Sequence, residues 1–258
     1  MKSLIKDLYQ YRELFKTNVQ KEIRGKYKGA WLGVIWSYLN PVLMLCVYAV
    51  VFSKIMKLGI PNYTMFLFTA ILPWNFFTAT VTSSAFAITS NGSIIKKVYF
   101  PREIIPISVV TSGLINYLIS CVILLVFLIV SGVGISFYML YFPIIVAIQY
   151  VLLLGISFIV SSVTVYARDI EHLISVLLMA LMYGTPILYS YEMVPKSLAW
   201  LINLNPMTSI INAYRDCLFF QQRPDLSSLA IVGIAALALF FIGLFIFQKL
   251  QRNFAEEV

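Results

Sequence analysis

The residue types that do chemistry are few in this chain, and they stand apart. A single histidine, His172, and three cysteines, Cys46, Cys121 and Cys217, make neither a zinc-ligand cluster nor a disulfide framework, since the thiols are odd in number and far apart. Asp7, Asp169, Asp216 and Asp225 are scattered singly, whereas intramembrane prenyl transfer needs paired aspartates to hold magnesium and a pyrophosphate. No G-x-x-x-x-G-K-[ST] segment is present, so the chain is not expected to bind ATP in the P-loop manner. The expectation is a protein without catalysis, metal or cofactor of its own.

What the spacing does offer is a surface for contact. Residues 91–103 read NGSIIKKVYFPRE, a short helix-sized stretch in which Ile94, Ile95, Val98 and Tyr99 are expected on one face, with Asn91 at its start and Phe100-Pro101 at its end. Apolar and aromatic residues among Lys96, Lys97 and Arg102 suit docking of a cytoplasmic partner, and equally a basic anchor that only sets topology. A second connection, residues 166–172, reads as a turn in which Asp169 caps the next helix and Glu171 favours its N-terminal dipole, leaving His172 interfacial.

The elements that must carry these residues follow from composition. Of 258 residues 60% are hydrophobic and 12% charged, too few charges to cover a soluble globule. The net charge of +8 is unevenly placed, with eight of the nineteen Lys and Arg before Gly29, so it points to a membrane before nucleic acid. A helix crossing roughly 30 Å of hydrocarbon needs about 20 apolar residues. Six stretches qualify, over 31–53, 64–88, 104–130, 137–166, 174–191 and 226–247, and none contains Asp, Glu, Lys or Arg. Fourteen of the nineteen basic residues fall on the side of the termini and the second and fourth connections, which predicts both ends in the cytoplasm. The polar, basic start is not a signal peptide. The predicted fold is an all-α membrane protein: an interfacial segment over 1–30, then a six-span domain over 31–258.

Two segments depart from plain spans. Before the first, Leu4, Leu8, Tyr11, Phe15, Val19, Ile23 and Tyr27 recur at steps of four or three among basic residues, the pattern of an interfacial amphipathic helix. Gly25, Gly29 and Gly33 then permit either a bend or close packing. The fifth connection, 192–225, is long and not simply polar; Asn205-Pro206 divides it into two short helical pieces, the second capped by Thr208 or Ser209, that read as re-entrant half-spans in the outer leaflet or as a surface pair. The missing intramembrane carboxylates argue against ion-coupled carriage. Energy for uphill movement is expected from a cytoplasmic partner.

Read together, these pieces resemble the membrane permease subunits of type 2 ABC exporters, particularly those that export O-antigen, other surface polysaccharides and teichoic acids on lipid carriers. The resemblance covers nearly the whole chain. It rests on Tyr27-Lys28 with Leu32-Gly33, Trp36, Leu39-Asn40-Pro41 and 48–52; on Pro73-Trp74-Asn75-Phe76-Phe77; on 96–103 with Pro106; on Ala167-Arg168-Asp169; on Pro186; and on Asn205-Pro206 leading to Tyr214-Arg215. Ala70 departs from the glycine expected ahead of Pro73-Trp74. The resemblance implies a multi-pass homodimer in the bacterial inner membrane, docked to two copies of a separate ATPase subunit that binds ATP and magnesium. It implies that 91–101 is a coupling helix, that the N-terminal helix gates access, and that the pieces around Asn205-Pro206 cap the channel.

Sugar rings stack their apolar faces on aromatics, which make up 15% of the chain. Tyr38, Tyr48, Phe52, Trp74, Phe77, Tyr183, Tyr189 and Tyr191 lie where they line a channel or, on the plainer reading, form the interfacial belt and face lipid. Arg24, Lys26 and Lys28, around Tyr27, sit where a lipid pyrophosphate headgroup approaches, and equally suit anionic lipid in general. Two alternatives stay open: an exporter of a small drug or lipid, and a non-transporting scaffold. Neighbouring glycosyltransferase genes would separate the first, and polymer-stimulated ATPase activity the second.

Overall fold

The computed structural model describes residues 2–25, 35–48, 50–51 and 61–257, and every regular element among them is helical. Chain order is α1 (Lys2–Gln10), α2 (Arg12–Gly25), α3 (Trp36–Tyr48), α4 (Tyr63–Phe86), α5 (Gly92–Lys97), α6 (Ile104–Val130), α7 (Phe142–Tyr166), α8 (Ile170–Tyr183), α9 (Lys196–Asn203), α10 (Pro206–Leu218), α11 (Leu226–Leu250) and α12 (Phe254–Glu257). Among the described residues four helical stretches are long and apolar enough to cross a membrane: Tyr63–Phe86, Ile104–Val130, Phe137–Tyr166 and Leu226–Asn253. The first and fifth expected spans correspond to shorter apolar helices, Leu39–Tyr48 within α3 and Ile170–Tyr183.

The axis of the bundle is α4. Tyr63 to Phe77 is buried on nearly every side except at Thr64 and Asn75, as befits a helix that is apolar all round and enclosed by protein rather than by lipid. Around it stand α6, α7, α8 and α10, whose apolar faces close one large core. On the far side of α7 runs α11, held so close that a Cβ on Gly155 would lie 2.7 Å from the Leu239 and Phe240 backbone, while one on Gly243 would meet the Gly155 carbonyl oxygen. Small residues here serve helix contact in a membrane, where packing rather than hydrophobicity drives association.

The amphipathic start is two helices rather than one rod, interrupted at Tyr11. Leu8, Tyr11, Leu14 and Phe15 pack on a second, smaller core formed by Ile105, Phe158, Phe247 and Phe254 at the end of the bundle that carries α5 and α12. Gly25 closes α2, and no atom of the described residues lies within 4 Å of where its Cβ would be; Gly29 and Gly33 lie outside the described residues.

Three local expectations are corrected. The fifth apolar helix starts earlier than 174 and stops at Tyr183, because Gly184 and then Pro186 weaken and break the helical ladder. Asp169 makes no side-chain cap; the turn before α8 is closed by backbone bonds from Ile170 N to Ala167 O and Glu171 N to Arg168 O. In the fifth connection the break at Asn205-Pro206 stands, but the cap is Asn205 itself, whose side-chain oxygen accepts from Met207 N at 3.0 Å, while Pro206 takes the first helical position where no N–H is needed. Thr208 instead donates to Ile202 O at 2.8 Å.

Candidate functional site

A cavity of about 1030 Å³ opens between α2, α3, α4 and α6. Its two long walls are polar stripes cut into apolar helices. On α6, Ser112, Asn116 and Ser120 recur every four residues; on α4, Asn75, Thr78 and Thr82 fall three and four apart, so each set shares one face. Most of these groups spend their donors on their own helix: Ser112 Oγ to Val109 O, Asn116 Nδ2 to Ser112 O, Ser120 Oγ to Asn116 O, and Thr78 Oγ1 to Trp74 O. Two atoms are left over. Thr80 Oγ1 and Asn116 Oδ1 are buried and have no hydrogen-bond partner among the described residues.

The remaining wall is aromatic and narrow. Phe76 and Tyr117 stack with centroids 5.1 Å apart and planes 7° from parallel, and both line the cavity, as does Tyr48 on α3. A Cβ on Gly113 would lie 2.5 Å from Thr80 Oγ1 and 3.1 Å from Phe76 Cε2, so only glycine leaves room for that hydroxyl. At the mouth sit Lys21 and Glu22 of α2. Lys21 Nζ donates to Asn91 Oδ1 at 2.7 Å, which ties the mouth to the start of α5. Burial pushes the Glu22 carboxyl above the usual carboxylate range, against the pull of Lys21.

The second feature is α5 itself. Its expected single face is divided in the structure: Ile95 and Phe100 turn inward to the smaller core and Asn91 donates to Ala87 O at 2.8 Å, while Ile94, Lys96, Lys97, Val98 and Tyr99 face outward. Tyr99 is 94% exposed, an unusual state for a tyrosine. Beyond Pro101, Arg102 donates to the Gln251 carbonyl and Gln251 Nε2 donates to Glu103 Oε1 at 2.9 Å, so the chain that links α5 to α6 is held by the end of α11. Phe254 of α12 is fully buried there, edge-on to Phe247 with centroids 5.5 Å apart.

At the opposite end, α10 penetrates the main core. Arg215 has only 2% of its surface exposed. Its guanidinium donates to the carbonyls of Pro186, of Ile187 at 2.5 Å, of Tyr189 at 3.4 Å and of Phe66 at 3.3 Å, and lies 3.6 Å from the Phe66 ring centroid. α8 has 14 residues and so reaches only about 21 Å, short of the roughly 30 Å of a hydrocarbon core. The connection after it exposes carbonyls that no helix satisfies, and Arg215 supplies their donors. Beside it Asn205 Nδ2 donates to Thr185 Oγ1 at 2.8 Å, and Tyr214 OH donates to Gln149 Oε1 at 3.0 Å while Gln149 Nε2 donates to Pro73 O at 2.8 Å. Asn205 and Arg215 thus hold the connection after α8, while Tyr214 ties α10 to α7 and, through Gln149, to α4.

The aromatics singled out from sequence are dispersed. Trp74 and Phe77 are buried in the main core with centroids 5.4 Å apart, Tyr183 is exposed on α8, and Tyr189 donates to the Tyr183 carbonyl at 2.9 Å. Tyr191 is half-buried in a short turn, and Tyr48 lines the cavity. Lys26, Tyr27, Lys28 and Phe52, with the side chain of Tyr38, lie outside the described residues; Arg24 is exposed at the end of α2. Sequence reasoning passed over the polar stripes. The four-residue recurrence of Ser112, Asn116 and Ser120 in an otherwise apolar span was the signal that could have found them.

Comparison with known proteins gives one consistent result. Residues 13–219 match the family described as "ABC-2 type transporter". The chain is 33% identical over 257 residues to the O-antigen export system permease protein RfbA of Myxococcus xanthus, covering 99% of each, and 36% identical over 245 residues to that of Klebsiella pneumoniae, covering 95% of this chain and 94% of the relative. It is also 24% identical over 237 residues to the polysialic acid transport protein KpsM of Escherichia coli, covering 90% and 91%.

Proposed function

This chain belongs to the ABC-2 type transporter family, a multi-pass membrane protein, and we propose that it is the channel-forming permease subunit of an ATP-driven exporter that moves a lipid-linked polysaccharide across the inner membrane. The observation that carries the reading is the near full-length similarity to permeases named for O-antigen export, in a chain whose long helices are free of intramembrane charge. With no nucleotide-binding motif in its sequence, the chain takes its energy from a separate ATPase subunit.

In this reading the end bearing α5 and both termini faces the cytoplasm, α3 and α8 complete six spans, and two copies form the pathway. The outward residues Ile94, Val98 and Tyr99, flanked by Lys96 and Lys97, are the coupling surface for the ATPase. Ile95 and Phe100 root that surface in the smaller core, and Arg102 and Glu103 join it to α11, so a displacement of α5 is passed to α6 and α11 as a rigid shift rather than lost in a loop. ATP binding drives the dimer open only to the extent that the partner prefers one state of α5 over the other. Deleting the gene in its host tests the function: polymer should accumulate inside the cell, and normal surface polymer would overturn the reading.

A further inference from the structure

We infer that Phe254 of α12 is a positioning residue for export: it fixes the orientation of α5, so that a movement imposed on α5 by the ATPase subunit reaches the bundle. The inference rests on the export reading for what that movement accomplishes, and on the packing alone for the hold on α5.

An isolated helix shorter than about 12 residues is marginal, so α5, with six, takes its orientation from what it packs on. One anchor is at its start, where Lys21 Nζ donates to Asn91 Oδ1 at 2.7 Å. The other is the smaller core, which receives Ile95 from α5 and Phe100 from just beyond it. Phe254 lies in that same core with 0% of its surface exposed, although α12 has only four residues and cannot hold itself either. The two short helices pack on one another, and α12 also packs on α7.

The geometry of the surroundings shows what Phe254 holds together. Its ring lies edge-on to Phe247 of α11, stands 6.4 Å from the Tyr166 centroid at the end of α7, and has the guanidinium carbon of Arg102 at 6.0 Å. Arg102 belongs to the connection between α5 and α6, and it donates to the Gln251 carbonyl, which also accepts from Phe254 N. Glu103, only 7% exposed, accepts from Gln251 Nε2 at 2.9 Å, and Tyr166 OH donates to Leu250 O at 2.8 Å. Residues 250–254 therefore clasp the exit of α5 against the ends of α7 and α11. Among the described residues the larger core around α4 contains none of these side chains, so the clasp can loosen as a local unit while the bundle stays closed. With Phe254 in place a push on α5 moves α6, α7 and α11 together; without it α5 pivots and the push is lost.

The test uses the full chain in lipid nanodiscs for hydrogen exchange and its complex with the ATPase subunit for transport. Phe254→Ala should speed exchange over residues 92–103 at least about tenfold and leave residues 63–77 at the wild-type rate. It should cut surface polymer in the host at least about fivefold while the purified complex stays assembled and keeps its ATPase rate within about twofold, the signature of lost coupling rather than lost folding. Phe254→Leu, which keeps most of the apolar volume, should restore exchange and polymer to within about twofold of wild type. Gln251→Ala, which removes the bond to Glu103 and leaves Phe254 in place, should speed exchange over 92–103 about threefold, and it carries the test if the Phe254→Ala chain does not fold. Wild-type exchange over 92–103 in these variants, exchange that rises equally over 63–77, full surface polymer in Phe254→Ala, or no restoration by Phe254→Leu would each overturn the inference. Faster exchange over 92–103 alongside normal surface polymer in the deletion strain would keep the hold on α5 and remove the export reading. Polymer retained in the deletion strain, with wild-type exchange in the variants, would do the reverse.

Discussion

Replacing Arg215 by Met tests whether the end of α8 is held by one guanidinium. The methionine keeps most of the volume and packs against Phe66, so the perturbation is chiefly the loss of donors. Four carbonyls are served at present, but Phe66 sits inside α4 with a helical donor of its own, and the Tyr189 contact at 3.4 Å is long. Pro186 and Ile187 lie outside any helix and are therefore the acceptors left stranded. At about 1–3 kcal/mol for each buried unpaired carbonyl, with no water in the hydrocarbon to replace the donor, the loss is about 4 kcal/mol. Ring contact with the cation adds to it, and release of a buried charge offsets part. Thermal unfolding of the detergent-purified protein should fall by on the order of 10 °C. Arg215→Lys, which keeps the charge but cannot fork between the Pro186 and Ile187 carbonyls, should fall between the two. An Arg215→Met variant that melts with the wild type would refute the claim that this side chain closes the α8 connection.

Other outcomes follow from the same geometry. Gly243→Ala should destabilise by about 1–3 kcal/mol, because its methyl meets the Gly155 carbonyl and forces α7 and α11 apart; wild-type unfolding would show that the helices separate freely. Phe100→Ala should lower stability through the smaller core, whereas Tyr99→Ala should leave melting unchanged and weaken pull-down of the ATPase subunit, so equal effects on both assays would contradict the division of α5. Burial raises the Glu22 pKa, so docking of α2 carries a full penalty above the raised value that vanishes as pH falls below the ordinary carboxylate range; Glu22→Gln should flatten the pH dependence of hydrogen exchange over residues 12–25. Asp225 has the opposite sign: hydrogen bonds from Ser227 and Ser228 hold its carboxyl down to about 2, so its cap on α11 is complete above the ordinary range and is lost as pH drops toward that value, a loss that Asp225→Ala should abolish in an acid titration.

How much of this was legible in the sequence depends on the range of the interaction. The long spans could be read because twenty apolar residues leave few alternatives, and the break at Asn205-Pro206 because proline acts on its own backbone. The cap of α10 was misplaced by three or four residues, since Thr208 and Ser209 have the same chemistry as Asn205 and only the chain path selects Asn205, while Asp169 stands at the start of α8 without making a side-chain cap bond. Arg215 was counted among loop charges, and nothing local marks it as buried: its four partners are 26 to 149 residues away. The aromatics misled for a related reason. Trp74 and Phe77 belong to the buried stretch of α4, Tyr63 to Phe77, and that burial is a property of the bundle, not of the residue.

That distinction bears on how an uncharged bundle handles a hydrophilic cargo. Charges placed along the spans would meet the need for polar contact, but each would have to be paired or stripped of water when the pathway is empty. Hydroxyls and amides avoid this by bonding to the carbonyls of their own helix, as Ser112, Ser120 and Thr78 do, so an empty wall is nearly satisfied while its lone pairs remain available. The residual cost is concentrated in Thr80 Oγ1 and Asn116 Oδ1, buried atoms without a hydrogen-bond partner among the described residues. The absence of charge in the long spans and the presence of the polar stripes are then two sides of one solution.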